Sequence, residues 1–119
     1  MDKKSTLHEL KEKVQCFCEE RDWDQFHNQK DLAIGIITES AELLEHFRFK
    51  DISEMTDMIS NPIKKSEIEE EVADILFFIL RFAQMNDIDM SEALNRKIKI
   101  NNTKYPVEKF KGSNKKYTE

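Results

Sequence analysis

Residues Ser66 to Met85 read SEIEEEVADILFFILRFAQM. The stretch has no Gly and no Pro, and Ser66-x-x-Glu69 has the form of a capping box. The pattern predicts a helix from Ser66 to about Met85, with Glu69 as the cap partner. Val72, Ile75, Leu76, Phe77, Phe78, Ile79, Leu80 and Phe82 leave little of its circumference polar. A helix apolar nearly all round lies at the centre of a fold or at a subunit interface.

Working outward, Gln29 to Phe49 carries Ile36, Ile37, Leu43, Leu44 and Phe47 at helical spacing, and reads as a second long helix. Gly35 costs it about 1 kcal/mol of propensity against Ala. Between the two helices, Asp51 to Ile59 reads as a short helix and Asn61-Pro62 as a turn. Upstream, Thr6-Leu7-His8-Glu9 is another capping box, opening a helix that runs to about Arg21. Asp22 to Asn28 breaks its pattern and reads as a loop rich in aromatic rings. Downstream, Asp89-x-x-Glu92 starts a last helix that reaches about Lys104, and Pro106 stops it. Residues 107–119 read as a basic, polar tail. The expectation is an all-α bundle of four to five helices, with residues 1–119 forming a single domain.

The bulk composition excludes several classes. Charged residues make up 36% of the chain and the net charge is −5. A binder of nucleic-acid polymers or of membrane surfaces would want a basic face. Cys16 and Cys18 point to different sides of a helix, and no His or Cys set completes a zinc site. No apolar run spans a bilayer and no signal region follows the first methionine, so a cytoplasmic home is expected.

Two acidic pairs carry chemistry. Glu39-Ser40-Ala41-Glu42 lies in the second helix and Glu71-Val72-Ala73-Asp74 in the apolar one. Spacing of i, i+3 puts both carboxylates of a pair on one helix face, roughly 5–6 Å apart at Cβ. Antiparallel packing of the helices can bring the pairs together. Four carboxylates around one space do not all stay ionised without a cation. Hard oxygen donors suit Mg²⁺ or Mn²⁺, and Mg²⁺ recruits substrate phosphates. Alone, each motif is more often a solvated helix face. Their apolar neighbours shift the balance, because acids set in such segments rarely serve solubility.

Lys97, Asn101, Lys104 and Tyr105 recur at helical spacing and can present cations, an amide and a phenol to phosphate oxygens. The bland alternative is a solvated helix end whose cations suit the dipole. Trp23, Phe26, His27, Phe47 and Phe49 form an aromatic group. A base stacked on such a ring gains about 1–3 kcal/mol. Phe26 and Phe47 read as core. Trp23 is the better stacking candidate, and His27 either contacts substrate or caps the next helix.

Glu39-x-x-Glu42 followed by Glu71-x-x-Asp74 resembles the E-x-x-E and E-x-x-D signature of MazG-like nucleotide pyrophosphohydrolases, in the all-α NTP pyrophosphatase superfamily. Glu20-Arg21-Asp22-Trp23-Asp24-Gln25-Phe26-His27 is similar to the N-terminal segment of the dCTP-pyrophosphatase branch. Asn101-x-x-Lys104-Tyr105-Pro106-Val107, then Gly112-Ser113 and Lys115-Lys116-Tyr117-Thr118, is similar to that branch's C-terminal end. The resemblance implies an intertwined helical homo-oligomer, a dimer or a dimer of dimers (a homotetramer), with sites at subunit interfaces. It implies Mg²⁺ on Glu39, Glu42, Glu71 and Asp74, which serve as catalytic and metal residues. It implies a dNTP substrate cleaved between the α- and β-phosphates in pool cleaning. Trp23, His27 and Phe49 would lie near the base; Lys97, Asn101, Lys104 and Tyr105 would hold phosphates. Phe49 stands where relatives often have tryptophan, which reduces stacking area. Phe78 stands where they often have tyrosine, which removes a donor. Preference among dCTP-like, dATP-like and modified nucleotides stays open. The alternatives in other classes are a non-catalytic nucleotide sensor and a helical protein-interaction module.

Overall fold

In the computed structural model, which describes residues 1–119, the apolar run lies within helix α4 (Pro62–Met85). Its start is a correction to the sequence reading. The Asn61 side-chain oxygen accepts from the backbone N–H of Ile63 at 3.0 Å and of Lys64 at 3.1 Å, and Pro62 occupies the first turn. Proline loses no hydrogen bond there and its φ is already helical. The Asn61-Pro62 pair thus opens a helix rather than a turn, and Ser66 and Glu69 lie inside α4, capping nothing.

Helix α1 (Leu7–Glu20) starts with the expected Thr6–Glu9 capping box. Helix α2 (Gln29–Phe47) is capped by Asn28, whose side chain accepts from the Asp31 N–H at 2.9 Å. It ends two residues before the expected Phe49, which takes the left-handed conformation with φ 63°. Helix α3 (Ile52–Ser60) opens with a capping box between Asp51 and Glu54.

α4 packs against α1, α2 and α3, so the most apolar helix is the central one. Three pairings fix the direction of α2 against it. Gln29 donates to Asn86 at 2.8 Å, Gly35 faces the Phe78 ring, and His46 faces Glu71. Residue numbers fall on α4 as they rise on α2, so the two helices are antiparallel. Gly35 makes their approach possible: a Cβ there would stand 2.7 Å from the Phe78 ring. The propensity cost of a helical glycine is offset by the contact it permits. Val14, Cys18 and Leu80 form a buried cluster under Leu10 and Phe77. Cys18 is fully buried while Cys16 is exposed, as spacing of two on a helix requires.

These elements make up one compact unit, Met1–Asp87; Ile88–Glu119 makes up a second. In the second, Asp89 caps α5 (Met90–Lys104) by accepting from the Glu92 N–H at 2.9 Å. After Tyr105 and Pro106, a single turn, α6 (Val107–Phe110), lies in what the sequence reading gave to the tail. Tyr105 stacks edge-on against Phe110 and Tyr117, with ring centroids 4.9 and 5.8 Å away. No helix is long and apolar enough to cross a membrane.

Candidate active site

Antiparallel packing sets the two acidic pairs opposite one another. Carboxylate oxygens of Glu39 and Glu42, on α2, and of Glu71, on α4, all lie within 4.8 Å of one another. Asp74 is one turn beyond Glu71, and its charge acts on Glu39. Burial, then the hydrogen bond and charge of Glu42, then the charges of Asp74 and Glu71, push the Glu39 carboxyl above its ordinary value. One Glu39 oxygen, Oε2, is shut off from water and has no hydrogen-bond partner. A buried, orphaned carboxylate oxygen is costly, and an acceptor-only group is satisfied by a donor or a cation. Three converging hard oxygens with one left orphaned fit a divalent ion such as Mg²⁺ or Mn²⁺. His46 supports the same cluster: its Nε2 lies 3.4 Å from Glu71 Oε1.

A cleft of about 540 Å³ adjoins the carboxylates. Glu39 and Asp74 line its acidic side, Lys13 adds a cation, and Phe17, Trp23, Phe77 and Phe78 line its apolar side. The rings pack edge to face in series. Trp23 and Phe17 have centroids 5.5 Å apart, Phe17 and Phe77 5.7 Å, and Phe77 and Phe78 5.6 Å. The volume is that of a small-molecule site. Its lining offers an aromatic wall to an apolar ring and carboxylates to a metal.

Of the residues expected near a base, Trp23 lines the cleft, and His27 packs edge-on beside it with centroids 6.1 Å apart. His27 does not cap α2, since Asn28 does. Its Nδ1 accepts from Arg81 Nε at 3.0 Å. Burial, then the Arg81 charge, hold its pKa below the ordinary value. Phe49 is 90% exposed, with the Arg48 guanidinium 4.7 Å from its ring, and does not line the cleft. In the second unit, Lys97, Asn101 and Lys104 lie on α5 and Tyr105 closes it. The Lys104 ammonium sits 4.8 Å from the Tyr117 ring.

Lys13, Phe17 and Phe77 as cleft walls, His46 beside Glu71, and Arg81 behind His27 were not assigned from the sequence; Phe78, which the resemblance singled out, does line the cleft beside Glu39 and Asp74. Arg81 had a legible signal, a lone cation in the apolar run from Ile75 to Ala83. Lys13, Phe17, Phe77 and His46 had none, because their partners are distant in sequence.

Comparison with known proteins finds relatives by sequence and by fold. A family model described as MazG-like matches residues 34–119. Human and rat dCTP pyrophosphatase 1 are each 32% identical over 114 residues, spanning 96% of this chain and 67% of theirs. The crystal structure of a pyrophosphatase from Archaeoglobus fulgidus matches with a TM-score of 0.78 at 36% identity, covering 84% of this chain and 92% of that one.

Proposed function

This chain belongs to the MazG-like family, and we propose that it is a Mg²⁺-dependent hydrolase that converts deoxynucleoside triphosphates to monophosphate and pyrophosphate. It is an enzyme of nucleotide pyrophosphate hydrolysis. The observation that carries it is the convergence of Glu39, Glu42 and Glu71 within 4.8 Å beside an aromatic cleft, with one Glu39 oxygen orphaned.

Glu39, Glu42 and Glu71, with Asp74 one turn on, would hold the ion. Bound there, a hard divalent ion would supply charge neutralisation and polarisation at the triphosphate. Water attacks the α-phosphorus, a carboxylate of the cluster takes its proton, and the bridging bond to the β-phosphate breaks to release pyrophosphate. Trp23 and Phe17 accept the base on the apolar wall. His27, edge-on beside Trp23, is the further base-side candidate. The dCTP pyrophosphatase relatives make a pyrimidine deoxynucleotide the leading candidate, with removal of surplus or altered dNTPs as the role.

The working form is a homo-oligomer. Ile34, Ile37 and Leu44 share one stripe of α2 and are 51%, 70% and 61% exposed. Val72 and Leu76 on α4 are also exposed. A second copy of the chain would cover the exposed apolar stripe of α2.

A dNTP panel assayed for pyrophosphate release, with and without Mg²⁺, tests the reading. The expected result is Mg²⁺-dependent release by the wild type that disappears in Glu42→Ala. Release that survives in the variant, or that needs no divalent ion, contradicts it.

A further inference from the structure

Arg81 is the one polar or charged residue buried in the chain, with 1% of its surface exposed. A guanidinium withdrawn from water is expensive unless its donors are used. Here they are used, and mostly on one target. Nε donates to His27 Nδ1 at 3.0 Å, Nη2 to Asp24 Oδ1, and Nη1 to Gln84 Oε1 at 2.7 Å. Asp24 and His27 both belong to the loop between α1 and α2, 57 and 54 positions away. Trp23 is next to Asp24, and its ring packs edge-on against both Phe17 and His27. The loop's own backbone bonds are local: Trp23 N–H reaches Cys18 O, and His27 N–H reaches Asp24 O. They shape the loop without tying it to α4. Arg81 makes that tie from the helix that also carries Phe77 and Phe78 into the cleft wall.

We propose that Arg81 is a positioning residue for substrate recognition: its fork fixes Asp24 and His27, and so sets the Trp23 ring as the outer wall of the cleft. A lysine, a point charge on a flexible stem, cannot satisfy both acceptors in the same geometry. The consequence for substrate rests on the proposed nucleotide reading; the consequence for Trp23 does not.

Trp23 is the sole tryptophan, so its fluorescence reports the wall directly. The experiment compares wild type, Arg81→Met, Arg81→Lys and Asp24→Asn by acrylamide quenching without ligand and by steady-state kinetics with the best dNTP. Asp24 has 53% of its side chain exposed, so its variant leaves the core intact if the Arg81 variants fold poorly. Quenching is expected to rise about twofold, and KM about tenfold with kcat within about twofold, as for lost binding rather than lost chemistry. Arg81→Lys should resemble Arg81→Met, and the double variant Asp24→Asn/Arg81→Met should be no worse than Arg81→Met alone. Unchanged quenching and KM in Asp24→Asn, or a lower melting temperature with KM unaltered in the Arg81 variants, would overturn the inference. A wild type without turnover would defeat the functional reading alone, and the quenching comparison would still decide this one.

Discussion

Glu39 and His27 show how single side chains record what the site is for. Glu39 keeps one oxygen away from water with no donor, among three other carboxylates. A chain selected for stability alone would place an amide or an apolar group there. His27 is held neutral for a different reason. Burial, and then Arg81, oppose the imidazolium and lower its pKa from the ordinary 6.5. Between that lowered value and 6.5, the unfolded chain binds a proton that the folded chain refuses. Stability therefore rises with pH across this window and is lost as pH falls through it. Urea midpoints from about pH 5 to about pH 7.5 should show this slope in the wild type, reduced in His27→Gln; identical slopes would mean His27 titrates freely. The four carboxylates were legible in the sequence because spacing of three on a helix fixes a shared face without any tertiary knowledge. His46 and Lys13 were not, because each acquires its role from residues on another helix; Arg81 stood out as a lone cation in an apolar run, but its loop partners Asp24 and His27 did not.

At the scale of the elements, helix type and order follow from periodicity, while two boundaries depended on competing local chemistry. Asn61-Pro62 is equally a turn signal and a helix start; two backbone donors satisfied by one side chain decide for the helix. Asn61→Ala should cost about 1 kcal/mol of stability, whereas Ser66→Ala should leave it unchanged or slightly raised, both read from thermal unfolding. Equal losses would restore Ser66 as the cap. The end of α2 was overrun because Phe47 and Phe49 both suit an apolar pattern, and nothing in composition marks the left-handed turn at Phe49. Gly35 was read as a cost alone. Its partner Phe78, which also lines the cleft, shows that the close approach of α2 and α4 and the shape of the cavity are set at one contact.

For the molecule as a whole, the small buried core and the exposed stripe of Ile34, Ile37 and Leu44 belong together. A unit whose apolar face is left open gains the missing burial by association. Sedimentation should find the wild type as an oligomer and the double variant Ile37→Glu/Leu44→Glu as a smaller species; a wild type sedimenting as one chain would remove the second copy from the account. The central claim, that the facing acidic pairs form a metal site, is a statement about the stability of the whole fold. A cation bound only by the native state raises its melting temperature, and a site without one keeps its repulsion. The direct test is thermal unfolding of the wild type and of Glu39→Gln, each with and without Mg²⁺. The account predicts that metal-free Glu39→Gln melts above the metal-free wild type, and that Mg²⁺ raises the wild type while leaving the variant nearly unmoved. Equal Mg²⁺ shifts in both proteins, or a variant that melts below the metal-free wild type, would contradict it.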